Sequence, residues 1–217
     1  MNRTTSRIFL GLLIAGAATL GTVSAQPLTT KAKGARKIVL SNAVGANQFL
    51  WNSDAPLEKI QGTAEGVTGT LTLDPKNPAS LRGTISAKVA TMKSGNDMRD
   101  EHLRGEAWLD AAKHPEITFV ATSVSNVKTK GNTFTASVTG NFTMHGVTKT
   151  MTVPVTVQYL DASAKTRSRA PGDLVMITAT FNVSLRDFNV AGSKGTVGSK
   201  VGEAIAISAK LFGSTAL

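Results

Sequence analysis

The chain has 217 residues with 24 Lys and Arg against 14 Asp and Glu, a formal charge of +10, and no cysteine. Disulfides, a thiolate nucleophile and thiolate metal ligation are excluded, so the core holds by burial and hydrogen bonding alone. Aromatics make up 5% of the chain, too few for base-stacking platforms, so the basic charge speaks for a membrane surface, an anionic ligand or plain solubility rather than nucleic acid.

Residues 1–25 read as an export signal. Arg3 and Arg7 form the basic start, residues 8–20 an apolar stretch, and Val23-Ser24-Ala25 a small-residue cleavage site before Gln26. The apolar stretch is shorter than the ~20 residues of a spanning helix, which predicts a soluble periplasmic product cut after Ala25. Residues 26–36 form a basic arm with Lys31, Lys33 and Arg36 and no acid, expected to be flexible. Residues 37–217 show no composition break and are expected to form a single domain.

Short strands are predicted over 37–41 and 48–53, then a strand over 58–74 bent at Gly62, Gly66 and Gly69. The Asp74-Pro75-Lys76-Asn77-Pro78 turn leads to alternation over 80–92, with Leu81, Ile85, Ala87 and Val89 on one face. The periodicity then changes. Met98, His102, Leu103, Ala107 and Ala111 are spaced for a short amphipathic helix over 98–112, capped by Asp97 and stopped before Pro115. Alternation returns with Ile117, Phe119 and Ala121, then Phe134, Ala136, Val138, Gly140, Phe142 and Met144. After a His145-Gly146 turn come Met151, Val153, Val155, Val157 and Tyr159. A hydrophilic loop over 160–172 precedes Val175, Ile177, Ala179, Phe181, Val183 and Leu185, and a Gly-rich loop over 189–202 precedes a last strand over 203–212.

Eight or nine long strands with hairpin-length connections predict an all-β, elongated, closed antiparallel β-barrel, with a two-sheet sandwich as the alternative. An outer-membrane barrel would read similarly. The scarcity of aromatics for girdles and the Lys and Arg along the polar faces favour a soluble one. Small residues on the inward face (Ala87, Ala121, Ala136, Gly140, Ala179) would leave room along the axis, but solid packing by Phe and Leu fits the pattern equally.

The Gly-rich loop contains no Gly-Lys pair and is not a P-loop. His102, His114 and His145 lack zinc-site spacing, so no metal is expected. Arg99-Asp100 and Arg186-Asp187 are either solvated element ends or, with His102, cationic donors at one barrel mouth suited to a phosphate or a quinone oxygen.

Arg99-Asp100-Glu101-His102-Leu103, Asp110-Ala111, and His114-Pro115 followed by Phe119 resemble the signature of the YceI-like polyisoprenoid-binding proteins. So do Thr139-Gly140-Asn141-Phe142-Thr143, His145-Gly146-Val147-Thr148-Lys149 and Arg186-Asp187-Phe188. The resemblance implies a lipocalin-like, extended barrel of about eight strands with one short helix. It also implies a hydrophobic tunnel holding an isoprenoid lipid such as a polyprenyl quinone or polyprenyl phosphate, with no obligatory cofactor. Two positions depart from the pattern: Trp108-Leu109 stands where an aromatic pair is usual, and Asn189 where glycine usually follows Arg-Asp-Phe.

The expectation is a periplasmic, non-enzymatic carrier. Arg99, Asp100, His102, Arg186 and Asp187 would hold a head group at the mouth beside the helix. Phe119, Phe134, Ala136, Phe142, Met144, Val153, Val155, Ala179, Phe181 and Val183 would line the tunnel. Peripheral contact with an anionic membrane surface and a homodimer are both left open. The alternatives are an exported enzyme using Asp100 with His102, and a solid-core structural or stress-response protein without ligand.

Overall fold

Turns of two to a few residues between long alternating strands leave consecutive segments little choice but to pair with one another. The computed structural model describes residues 26–217, and the export signal expected over residues 1–25 lies outside the described residues. The order is β1 (Arg36–Leu40), β2 (Gln48–Asp54), β3 (Lys59–Ala64), β4 (Val67–Asp74), β5 (Asn77–Lys88), β6 (Met92–Lys93) and α1 (Asp97–Arg104). There follow β7 (Glu116–Lys130), β8 (Thr133–Met144), β9 (Val147–Leu160), α2 (Ala164–Arg167), β10 (Leu174–Ser184) and β11 (Ala204–Ser214).

The strand segments make eight staves of a closed antiparallel barrel. β11 pairs with β2 through Ala209↔Phe49 and with β1 through Leu40↔Gly213, so β1 and β2 are two halves of one stave interrupted by residues 41–47. β3 and β4 form the next, bent where Gly66 takes a φ of +65°. β5 and β6 form the third, since β6 meets β3 where β5 meets β4. β7 to β11 complete the meander, and the β1–β11 contact closes it. Of the three glycines expected to bend residues 58–74, only Gly66 has a positive φ. Gly62 and Gly69 are instead close-approach sites, against Trp51 and against β5 and Leu40.

The helix is shorter than its apolar spacing predicts. It ends at Arg104, where the Gly105 amide donates back to the His102 carbonyl, and residues 105–113 continue as turns. Asp110 at φ +44° is incompatible with a helix running to 112. Its cap is Asn96, whose side chain accepts from the Arg99 amide at 3.0 Å, and Asp97 is the first helical residue instead. α2 is a single turn within the expected hydrophilic loop, closed by a Ser163–Thr166 capping box.

One end of the barrel is filled. Ile38, Leu73, Phe134, Val157, Tyr159 and Val175 are buried there in one continuous hydrophobic cluster, and none of them lines the cavity of the other end. Leu28, from the arm expected to be flexible, is 1% exposed and sits among them. The Leu28 amide donates to Pro75 O at 2.9 Å and the Thr29 amide to Gly131 O at 2.8 Å, across the turns of that end. The arm docks because it carries one well-placed leucine and because an acid far along the chain meets it. Thr30 and the Lys31 amide both donate to the carboxylate of Asp161.

Burial raises the Asp161 carboxyl, but the hydrogen bonds from Thr30 and Lys31 outweigh it and hold its pKa below the ordinary 3.8. A carboxyl depressed by folding contributes stability that is present above 3.8 and lost as pH falls through the lower folded value. Amide-exchange protection over residues 28–32 is therefore expected to hold at about pH 5 and to drop at about pH 2.5, ahead of global unfolding, with Asp161→Asn weakening it at neutral pH. Equal protection at both pH values, in both proteins, would contradict the linkage.

Candidate functional site

Period-two alternation sends one face of every stave to the axis, so whether a site forms depends on how far those side chains reach across. At the filled end they meet. Towards the other end Leu81, Gly83, Ile85 and Ala87 of β5 face Ile177 and Ala179 of β10 and Ala209 of β11 around a cavity of about 590 Å³. That volume lies in the range of pockets that enclose small organic ligands.

Phe119, Phe142, Met144, Val153, Val155, Ala179, Phe181 and Val183 line this cavity. Phe134 and Ala136 do not, contrary to the sequence expectation. Both are buried in the filled end, three or four repeats of the pleat before Phe142 on the same face of β8 that carries Phe142 and Met144. The barrel is thus solid in one half and hollow in the other.

The polar lining is confined to a few positions. The rim beside α1 is made by Glu58, Asn96, Met98, Arg99 and His102, together with Thr196 and Lys200 of the loop between β10 and β11. Arg99 Nη2 lies 2.7 Å from Glu58 Oε1, so the guanidinium is already paired to a carboxylate of the β2–β3 turn. Asp100 is 5% exposed and accepts from both the amide and the hydroxyl of Ser94 at 2.6 Å. It fastens the chain entering α1 and is hydrogen-bonded to Ser94 rather than to His102. Within the wall, Ser53 is buried, and its hydroxyl accepts from the Gly202 amide at 2.9 Å.

Arg186 and Asp187 do not join the rim. They are exposed on the 3-10 turn Arg186–Phe188, and neither lines the cavity. The buried member of that motif is Phe188, at 2% exposure, which meets the Phe142 ring edge-on at 5.3 Å. A one-turn element has one inward position, and the aromatic side chain gains most from taking it. Asn189 follows with φ +56°, the left-handed conformation that a glycine would otherwise supply. His114 and His145 meet edge-on at 5.1 Å, and His145 Nδ1 is 3.1 Å from the Phe188 carbonyl oxygen. No group of three or more potential metal-ligating side chains occurs among the described residues.

Several lining residues were not singled out from sequence. Trp51 of β2 lies over Gly62 of β3, where an added Cβ would fall 2.1 Å from the indole, and its Nε1 donates to Thr63 O at 3.3 Å. Trp108, one of the two departures from the family pattern, closes one side against Gly192, whose φ of +60° and close approach to the indole leave no room for a side chain. Ile205 and Ile207 alternate in β11 and were legible as a face, though not as lining. Thr196 and Lys200 reach the rim from an irregular loop whose path has no period to read.

The YceI-like domain family model matches residues 44–212 of this chain. A UPF0312 protein of Pseudomonas putida (strain GB-1) is 33% identical over 137 residues, which is 63% of this chain and 67% of that relative. Protein YceI of Salmonella arizonae is 33% identical over 144 residues, 65% of this chain and 69% of the relative. A polyisoprenoid-binding domain from Saccharophagus degradans shares the fold, with a TM-score of 0.60 at 13% identity over 82% of this chain and 98% of that one.

Proposed function

The chain belongs to the YceI-like domain family, and from that premise we propose that it is a periplasmic, non-enzymatic carrier that sheaths an isoprenoid-type lipid in the hollow half of its barrel. The observation that carries this reading is the cavity itself: about 590 Å³, walled by Phe, Ile, Val, Leu and Ala, with its charged residues gathered at one rim. An apolar chain gains by leaving water for such a wall, and a polar head is fixed where hydrogen-bonding groups converge. The polyisoprenoid-binding Saccharophagus degradans domain, built on the same fold, supports the choice of lipid class.

The rim narrows the head group. Arg99 is committed to Glu58, and that carboxylate repels a second anion placed beside it. His102, Asn96, Thr196 and Lys200 remain as partners, so the rim suits a quinone oxygen through the neutral donors and a phosphate through Lys200. Native mass spectrometry of the protein purified from its own host should show a co-purifying isoprenoid mass, and added prenyl quinone or prenyl phosphate should load the stripped protein, with Lys200→Gln weakening only the phosphate. Repeated recovery of an empty barrel that takes up neither compound would overturn the carrier reading.

A further inference from the structure

The excess of positive charge on the molecule lies away from the end where its cavity opens. Lys31 and Lys33 on the arm, Arg36 and Lys37 at the start of β1, and Lys128 and Lys130 beside the β7–β8 turn are exposed at the filled end. Lys165, Arg167 and Arg169, on and just after α2, are exposed at the same end between β9 and β10. The acids there are Asp74, Asp161 and Asp173, and each is engaged within the fold. Asp74 accepts from the Lys76 amide, Asp161 from Thr30 and Lys31, and Asp173 from the Tyr159 hydroxyl and the Ala162 amide. The salt bridges among the described residues all belong to the other end: Lys59–Asp54, Arg99–Glu58, and Lys113 with Glu106 and Asp110. Cations at the mouth are interleaved with acids, whereas those at the filled end face solvent without salt-bridge partners.

We propose that the filled end is a docking face for an anionic phospholipid surface, holding the barrel with its mouth turned away from the bilayer. The basic side chains come from an arm, a turn and a helix that together form one end of the molecule rather than a groove, which suits a flat array of lipid phosphates. Phe134 and Tyr159 at this end are 1% exposed, and the half-buried Phe212 ring is covered by Gly45 and Lys210, so none offers a platform to a nucleic acid base. Of the exposed large apolar side chains, Leu57 and Met98 lie at the opposite end and Leu217, just after β11, at this one, so attachment is mainly electrostatic and shallow.

Each lysine or arginine held near an anionic bilayer strengthens partitioning about fivefold. Lys33→Glu, Lys165→Glu and Arg167→Glu combined alter exposed side chains remote from the cavity, and are expected to lower partitioning onto phosphatidylglycerol-containing vesicles by at least about a hundredfold. Lys93→Glu with Lys194→Glu, at the mouth end, should change it about twofold or less. Binding should fall steeply with salt and be absent on phosphatidylcholine alone. Because the chain has no cysteine, a fluorophore on Lys128→Cys or Leu57→Cys reports orientation, and brominated lipid should quench the first and spare the second. The proposal is overturned if the mouth-end pair abolishes binding as well, if neutral vesicles bind equally, if Leu57→Cys is the quenched site, or if DNA at equal ionic strength binds more tightly than the vesicles. None of these measurements needs a loaded cavity, so their failure and that of the carrier reading are separable.

Discussion

Phenylalanine in place of Ala179 is expected to abolish lipid uptake while leaving the barrel folded. Ala179 lies midway along β10 on the wall of the hollow half, opposite β5. A benzyl group there projects into existing empty space rather than into packed neighbours, so stability should change by less than about 1 kcal/mol. The ligand loses that same space, and its affinity should fall by about a hundredfold or more. Ala136→Leu supplies the contrast. Ala136 is 6% exposed in the filled half, where extra methylenes have nowhere to go. Overpacking should cost about 1–3 kcal/mol there and leave affinity within a few-fold. Both tryptophans of the chain, Trp51 and Trp108, line the cavity, so quenching of their fluorescence by an added prenyl quinone gives the affinity and urea unfolding gives the stability. If Ala179→Phe still binds normally, the lipid is held elsewhere. If Ala136→Leu costs nothing, the lower barrel is looser than its burial indicates.

Leu28→Ala should destabilise the protein by about 2–5 kcal/mol, the range for removing a fully buried leucine side chain. Leu28 precedes the first strand and would ordinarily be discounted as part of a leader. Yet it is 1% exposed, wedged among Ile38, Leu73 and Phe134, with its amide bonded to Pro75 O. The loss should appear as a lower urea midpoint with an unchanged m-value, since the barrel itself remains cooperative. A shift worth less than about 0.5 kcal/mol would mean that the arm is an ornament rather than part of the core.

How much of this could be read beforehand depended on period and on depth. Val153, Val155, Val157 and Tyr159 alternate with Pro154, Thr156 and Gln158, and the face they define is the one that turns inward. The same periodicity says nothing about position along the axis. Phe134 and Phe142 share a face of one strand, yet the first is packed in the filled end and the second borders open space. Depth is set by which side chains arrive from opposite staves, and that is a property of closure. The apolar spacing overstates the helix because Ala107 and Ala111 keep a helical period after Gly105 has already ended it. Arg186 looked like a mouth residue by its chemistry, but the short turn it occupies is organised around Phe188. The anchoring of the arm could not be anticipated, because its partner Asp161 is 130 residues from Lys31.

The seam of the barrel has a bearing on how the polypeptide reaches its final state. Its opening strands, β1 and β2, find their outer neighbour only in β11, and the Asn47 side chain is met by the Phe212 amide, 165 residues away, at 2.6 Å. Contacts of such sequence separation carry a loop-closure cost that is repaid late, so these strands stay unpaired on that side until the tail has been made. A half-synthesised chain therefore cannot lock into a compact shape until its last segment arrives to fasten the wall.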